Sequence, residues 1–169
     1  IVDDAITVAT TGLANNASVA STSTGNNSTD GTQVFNQSGG TVTLPAETFA
    51  PGSQANYTTT LACTGATLSG STPGSTFTMP DGDVTCTYTN TRVQRSLTLK
   101  KTWVNGKPGD AVTATTTGLA NNATVSSTAD AEGDNTSTGN AVSNVAGALV
   151  TLPAEVFNTG SQSNYTTTV

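Results

Sequence analysis

The side chains that could carry chemistry in this chain of 169 residues are few, and the two cysteines are the most informative. Cys63 and Cys86 lie in strand-like runs, LACTG and DVTCTYTN, and the chain has no histidine that could activate a nucleophile. Two lone cysteines in a Thr- and Asn-rich chain fit one structural disulfide, formed in an oxidising compartment. The alternative is a pair of buried free thiols.

A lysine on an apolar strand face is the second reactive feature. The run SLTLKKTWVNG (residues 96–106) is the most strand-like in the chain and holds its only tryptophan. Strict alternation puts Lys101 on the apolar face and Lys100 on the opposite, solvated face. The members of the apolar face are Leu97, Leu99, Lys101 and Trp103. The simpler interpretation of Lys101 is a side chain that extends along the surface to water.

An asparagine and two glutamates complete the candidate residues. Asn90 shares the inward face of its strand with Cys86 and Tyr88, although an asparagine at this position could also cap a turn. Glu47 and Glu155 each stand two residues before a phenylalanine. Asn90 is therefore a polar group in a phase that points toward a core.

The elements that must position these residues are short β-strands. No segment keeps an apolar period of 3.6 residues, so helix should be minor. Glycine and asparagine clusters separate runs of β-branched residues and predict turns. Before residue 93 we predict strands at 5–11, 17–24, 33–35, 40–44, 56–63, 75–79 and 84–91. Residues 91–95 are predicted to form a short linker.

The chain contains two copies of one pattern, which indicates a tandem array of domains. Thr11–Ala17 recurs as Thr117–Ala123, at an offset of 106 residues, and TLPAE at 43–47 recurs at 151–155, at an offset of 108. NYTTT at 56–60 recurs at 164–168. A two-residue insertion therefore lies between Asn122 and Thr151 in the second copy.

Composition excludes several classes of function. The net charge is −6, and no patterned basic face is present, which argues against nucleic acid binding. No apolar run is long enough to span a membrane. The acidic clusters at 81–83 and 130–134 lack EF-hand spacing, so we expect neither a metal nor another cofactor.

The copies define two domains that are incomplete in complementary ways. We predict a β-sandwich repeat at 1–93 that lacks its first strand, and a second at 94–169 that lacks its C-terminal hairpin. This pattern suggests a window of about one and a half repeats from a longer array. Each half should expose a sheet edge. Either a neighbouring copy, by end-to-end packing or strand complementation, or sequence beyond this window should cover that edge.

The repeat LTLKKTW…TGLANNA…TLPAE…NYTTTLACTG…CTYTN resembles the prealbumin-like (SpaA or CnaB-type) domains of large bacterial surface proteins. The resemblance covers nearly the whole chain. It implies an all-β, immunoglobulin-like sandwich in stalks, pili and adhesins at the bacterial cell surface or in secreted proteins.

The resemblance also implies roles for the polar residues. In many such domains a lysine of the first strand and an asparagine of the last strand form an isopeptide bond, assisted by a buried acid. The matching positions are Lys101, Asn90, and Glu47 or Glu155. Lys101 and Glu155 belong to the second copy, whereas Glu47 and Asn90 belong to the first. We therefore predict no complete set of the three residues within one repeat of this chain.

The function expected from these features is structural: a repeat of an extracellular fibre or adhesin stalk, stabilised by a disulfide, with an isopeptide bond as a second candidate cross-link, and not an enzyme. The alternative is an adhesin module that binds a glycan or a host surface protein. A cluster of exposed aromatic side chains on one face would favour the binding module.

Overall fold

The computed structural model describes residues 2–131 and 133–169, so Ile1 and Glu132 (within the acidic cluster at 130–134) lie outside the described residues. The described residues form β-strands and two single-turn 3-10 helices, which confirms the predicted all-β class. The chain divides into two compact units, unit 1 at Ile1–Val93 and unit 2 at Gln94–Val169.

Unit 1 is built from antiparallel pairs of short strands. Its elements are β1 (Ala5–Ala9), β2 (Ser18–Thr22), β3 (Thr41–Thr43), β4 (Thr48–Phe49), a 3-10 turn (Gln54–Asn56), β5 (Tyr57–Thr64), β6 (Thr76–Thr78) and β7 (Thr85–Arg92). The strand order is β2-β1-β4 in one sheet, and β3-β6 and β5-β7 form two further pairs. The side chains of β7 alternate between exposed and half-buried along all eight residues, as the sequence pattern predicts.

Unit 2 repeats this design and adds two strands before it. Its elements are β8 (Gln94–Leu97), β9 (Lys100–Trp103), β10 (Ala111–Thr115), β11 (Thr124–Thr128), β12 (Asn135–Thr138), β13 (Val142–Val145), β14 (Val156–Thr159) and a 3-10 turn (Gln162–Asn164). The sheet order β11-β10-β14 matches β2-β1-β4, while β9 pairs with β12 and β8 pairs with β13. The run 96–106 thus contributes two short strands rather than one, although its predicted alternation of burial is present.

The two units agree in register, residue for residue. Ala5 pairs with Thr22 in unit 1, and Ala111 pairs with Thr128 in unit 2, each 106 residues further along. The stacked rings at the end of this sheet are likewise equivalent: Phe49 on Tyr57, and Phe157 on Tyr165. Both copies of the sequence pattern therefore encode the same local structure.

The structure also narrows the position of the two-residue insertion. The offset is still 106 at Thr128, whereas Gly139 corresponds to Gly31 at an offset of 108. Both glycines pass so close to a carbonyl of the neighbouring strand (of Ser18 or of Thr124) that an added Cβ would clash. Asn27 and Asn135 donate equivalent side-chain bonds to the carbonyls of Thr22 and Thr128, so the insertion lies between Thr128 and β12.

Two predictions of local structure are wrong. Residues 33–35 are not a strand in unit 1, whereas β13 forms over the equivalent region of unit 2 because β8 pairs with it. The predicted linker at 91–95 belongs mostly to strands: β7 ends at Arg92, β8 begins at Gln94, and only Val93 separates them. Residues 33–35 have no partner strand in the described part of the chain, whereas β7 and β8 each have one, and this difference decides which residues form strands.

Each unit has its own apolar core. In unit 1 the buried members are Val42, Leu44, Leu61 and Phe77, with the two cysteines and Tyr88 packed against them. In unit 2 the buried members are Trp103, Val112 and Ala129, with Phe157 and Tyr165 packed against them. The cores are not equivalent, because each depends on strands that the other unit does not contain.

Candidate functional site

The carboxylate of Glu47 marks the first candidate site, in unit 1. Glu47 follows β3 in the TLPAE segment and is 8% exposed. The Thr59 hydroxyl lies 3.4 Å from Glu47 Oε2 and 2.5 Å from Asn90 Oδ1. Thr59 and Asn90 face each other directly in the β5–β7 register, so this strand pair brings both side chains to the carboxylate. The predicted C-terminal hairpin is not a hairpin, because β6 lies between β5 and β7 in the chain and pairs with β3. Among the described residues, no cation lies within ion-pair distance of Glu47.

The equivalent site in unit 2 contains a lysine. Lys101 Nζ lies 2.9 Å from Glu155 Oε1 and 3.0 Å from Glu155 Oε2. Both side chains are largely shielded from water, at 15% and 11% exposed. The ammonium also lies 4.8 Å from the centre of the Trp103 ring, in a cation–π contact. The Thr167 hydroxyl lies 3.5 Å from Glu155 Oε2, as Thr59 lies near Glu47.

The two sites are two partial copies of one arrangement. Glu47 and Glu155 are equivalent, and so are Thr59 and Thr167, at an offset of 108 residues. The lysine is present only in unit 2, since residues 1–93 contain none, and Asn90 belongs to unit 1. No single unit therefore brings Lys101, an acid and Asn90 together.

The Cys63–Cys86 disulfide is present, as predicted from the two isolated cysteines. The cysteines are directly opposed in the register of β5 and β7, and both pack against the core of unit 1. The β5–β7 strand pair thus carries the disulfide toward one end and Asn90 toward the other. No free cysteine remains among the residues that the structure describes.

Tyr88 lies on β7 between the disulfide at Cys86 and the side chain of Asn90. Its hydroxyl donates to the Pro45 carbonyl at 2.9 Å, which ties β7 to the TLPAE segment. Burial, and secondarily the negative charge of Glu47, raises the pKa of Tyr88 to about 12.

Sequence reasoning missed a tyrosine–aspartate contact that occurs in both units. Tyr57 donates to Asp4 Oδ2, and Tyr165 donates to Asp110 Oδ2, both at 2.7 Å. Burial, together with the hydrogen bond and charge of Asp4, raises the pKa of Tyr57 to about 12. The signal was available, because both partners recur at the offsets of the repeat.

A pair of asparagines was also missed. The side-chain amide of Asn36 accepts a hydrogen bond from the Asn15 backbone N–H and donates one to the Asn15 carbonyl, and Asn144 does the same with Asn121 in unit 2. These contacts fasten the TGLANN turn to the segment that follows Gly31 or Gly139. They are structural contacts at equivalent positions, not a binding site.

The described residues offer little that resembles a ligand site. Phe35, at 82% exposed, is the sole aromatic side chain among them that is exposed. A shallow depression beside it is lined by residues 34–36, Ser38 and residues 79–83. No group of three metal-ligating side chains occurs in the part of the chain that the structure describes. Nor does any helix within 2–131 or 133–169 have the length and apolarity needed to cross a membrane.

Comparison with known proteins gave no relative: no family model matches the chain, and no curated protein or solved structure matches it significantly.

Proposed function

We propose that this chain consists of structural repeats of an extracellular bacterial fibre or adhesin stalk, each repeat a prealbumin-like, immunoglobulin-like β-sandwich. The observation that carries the proposal is the recurrence of one fold in adjacent units. The sheets β2-β1-β4 and β11-β10-β14 share strand order and register, and the Tyr–Asp contacts recur with them. A mechanical array requires such repetition, whereas a catalytic site requires it rarely.

The disulfide supports a location outside the cytoplasm, because structural disulfides persist in oxidising compartments. It also cross-links the two longest strands of unit 1, which would limit how far that unit can extend under load. Antibodies against the chain should therefore label intact cells of the source organism. Labelling that requires permeabilised cells would contradict the proposed location.

We also propose that a complete repeat forms a Lys–Asn isopeptide bond. The Nζ atom of the Lys101-type lysine attacks Cγ of the Asn90-type asparagine, the Cγ–Nδ2 bond breaks, and ammonia leaves. The carboxylate first takes a proton from the lysine ammonium, so that a neutral amine can attack. The carboxyl group then gives this proton to the leaving nitrogen, and the second proton lost by the attacking nitrogen passes to the carboxylate. Supporting contacts are Lys101 on Glu155 in unit 2, and Asn90 near Glu47 through Thr59 in unit 1.

The alternative function, an adhesin module for a glycan or host protein, has weaker support. Binding surfaces for such ligands are enriched in exposed tryptophan and tyrosine. Trp103 is 2% exposed, and Phe35 stands without a second exposed aromatic side chain among the described residues.

A chimera made from the chain's own sequence tests the proposed repeat. Val169 is equivalent to Leu61, so residues 94–169 followed directly by residues 62–93 should form one complete repeat containing Lys101, Glu155 and Asn90. The folded chimera should weigh about 17 Da less than its sequence for the lost ammonia, and about 2 Da less for the disulfide.

Substitutions in the chimera separate the two cross-links. Lys101→Arg, Glu155→Gln and Asn90→Ala should each abolish the loss of 17 Da and keep the loss of 2 Da. Lys100→Arg is the matched control, because Lys100 is exposed on the other face of β9 and should leave both losses intact. A folded chimera with only the disulfide would remove the isopeptide proposal, and an unfolded chimera would contradict the proposed repeat.

A further inference from the structure

The structure assigns an acceptor site for a β-strand to residues 27–37 of unit 1, which we call the acceptor edge. We propose that its occupant is a strand pair of the β8–β9 type (94–103), the opening segment of a repeat. The inference rests on the proposed function, because it takes unit 1 to share the repeat design of unit 2.

The acceptor edge follows the same path as a paired segment of unit 2. On its inner side, the Thr32 amide donates to the Ser18 carbonyl at 2.7 Å, and Asn36 bonds to Asn15. None of its residues is in a strand. The equivalent residues, 135–145, contain β12 and β13, which pair with β9 and β8. The acceptor edge is therefore held in place for an added strand, and none of the described strands pairs with it.

The register of the occupant follows from unit 2. Trp103 pairs with Asn135 and Leu97 pairs with Val142. With the offset of 108, the donor Trp103 should lie opposite Asn27, and the donor Leu97 opposite Val34. The same register places the donor Lys100 opposite Asp30, an exposed residue of opposite charge.

An aromatic platform in unit 1 matches the donor tryptophan. In unit 2, Trp103 packs edge-on against the stacked pair Phe157 and Tyr165, at ring-centre distances of 6.2 and 5.2 Å. Unit 1 has the same stacked pair, Phe49 and Tyr57 at 5.3 Å, but its sequence contains no tryptophan. An incoming tryptophan would reproduce the packing of unit 2.

The buried carboxylate of Glu47 matches the donor lysine. A buried charge is costly unless a partner neutralises it, and Glu155 has Lys101 for this purpose. Glu47 has no such cation among the described residues. In the proposed register the donor Lys101 approaches Glu47 as it approaches Glu155. Backbone path, aromatic platform and carboxylate thus all specify the same occupant.

A peptide of residues 94–106, labelled at its N terminus, tests the acceptor edge. The full chain carrying Asn90→Ala is used, so that any complex is non-covalent. Fluorescence anisotropy should report saturable binding, and hydrogen exchange with mass spectrometry should show slower exchange at residues 27–37. Slowed exchange at 135–145 alone would overturn the proposal, because the peptide would then be replacing β8 and β9 of unit 2.

Peptide variants test the phase of the strand. Trp103→Ala in the peptide should weaken binding at least tenfold, since it removes the main buried anchor. Thr102→Ser, on the outward face of the same strand, is the control and should change affinity less than about twofold. Equal binding of the Trp103→Ala and Thr102→Ser peptides would refute the assigned site.

Paired substitutions test the two charge contacts. A Lys101→Met peptide should bind about tenfold more weakly to the chain with Glu47, and with little loss to a Glu47→Gln chain. A Lys100→Glu peptide should lose about two- to fivefold, and Asp30→Lys in the chain should restore the loss. If the affinity lost by either peptide variant does not depend on the matching substitution in the chain, the strand lies in another register. Because the chimera requires no added strand, its folding tests the repeat, and peptide binding tests only the acceptor edge.

Discussion

Units 1 and 2 share a scaffold but complete opposite sides of it. The TLPAE segment is identical in both, yet Leu44 is 1% exposed and Leu152 is 49% exposed. In unit 1, β6 and the β5–β7 strand pair cover this segment. In the other direction, Val112 is 1% exposed beneath the tryptophan of β9, whereas the equivalent Ile6 is only half-buried.

The two units cover different parts of the shared scaffold. An opening segment (β8 and β9) brings Lys101 and Trp103 in unit 2, and a closing strand pair (β5 and β7) brings Asn90 and the disulfide in unit 1. The shared strands between them supply the acid, the Thr hydroxyl and the stacked aromatic pair. Each side of the core closes only where its own set of strands is present.

The most direct test of this comparison is to replace the equivalent leucine of each unit by alanine. Leu44→Ala should destabilise unit 1 by about 2–5 kcal/mol, because it leaves a cavity in a closed core. Leu152→Ala should cost unit 2 less than about 1 kcal/mol, because that side chain is already half exposed. Hydrogen exchange at β5 reports unit 1, and fluorescence of Trp103 during urea unfolding reports unit 2. Equal costs would mean that the cores are not complementary.

The disulfide should stabilise unit 1 alone. Replacing both cysteines by serine should cost about 3 kcal/mol, since a loop spanning 23 residues is no longer closed in the unfolded chain. Hydrogen exchange of β5 and β7 measures the loss, and the urea midpoint of Trp103 fluorescence should not move. Thr87→Ser, on the exposed face of β7, is a control. A shift in the tryptophan transition would show that the units unfold together.

A smaller effect concerns pH and the tyrosines of unit 1. The folded pKa values of Tyr57 and Tyr88 are raised to about 12, above the ordinary value of 10.0. Their contribution to stability is therefore complete below pH 10 and is lost as the pH rises toward 12. The protection factors of β5, which correct for base-catalysed intrinsic exchange, should fall over this window, and Tyr57→Phe should reduce the pH dependence. If the pH dependence of unit 1 stability is unchanged in both Tyr57→Phe and Tyr88→Phe, these tyrosines are not its cause. Tyr165→Phe, in unit 2, is the control and should leave the pH dependence at β5 unchanged.

Much of the fold follows from local patterns in the sequence. Alternation predicted the inward phases of Cys86, Tyr88, Asn90 and Lys101, and the repeat predicted equivalent structures on either side of Trp103. Residues 33–35 carry a strand-like pattern in unit 1 but form no strand, because a β-pattern needs a partner edge. The contacts of Tyr57 with Asp4 and of Asn15 with Asn36 span 53 and 21 residues, so no local rule could reveal them.

The sequence by itself determined the all-β class, the two copies, the side-chain phases and the disulfide, because each depends on residue type and spacing along the chain. Only the tertiary structure decided which copy of an identical segment is buried, and which acid meets the lysine. Burial and charge pairing depend on the strands that cover a residue, and these lie far from it in sequence.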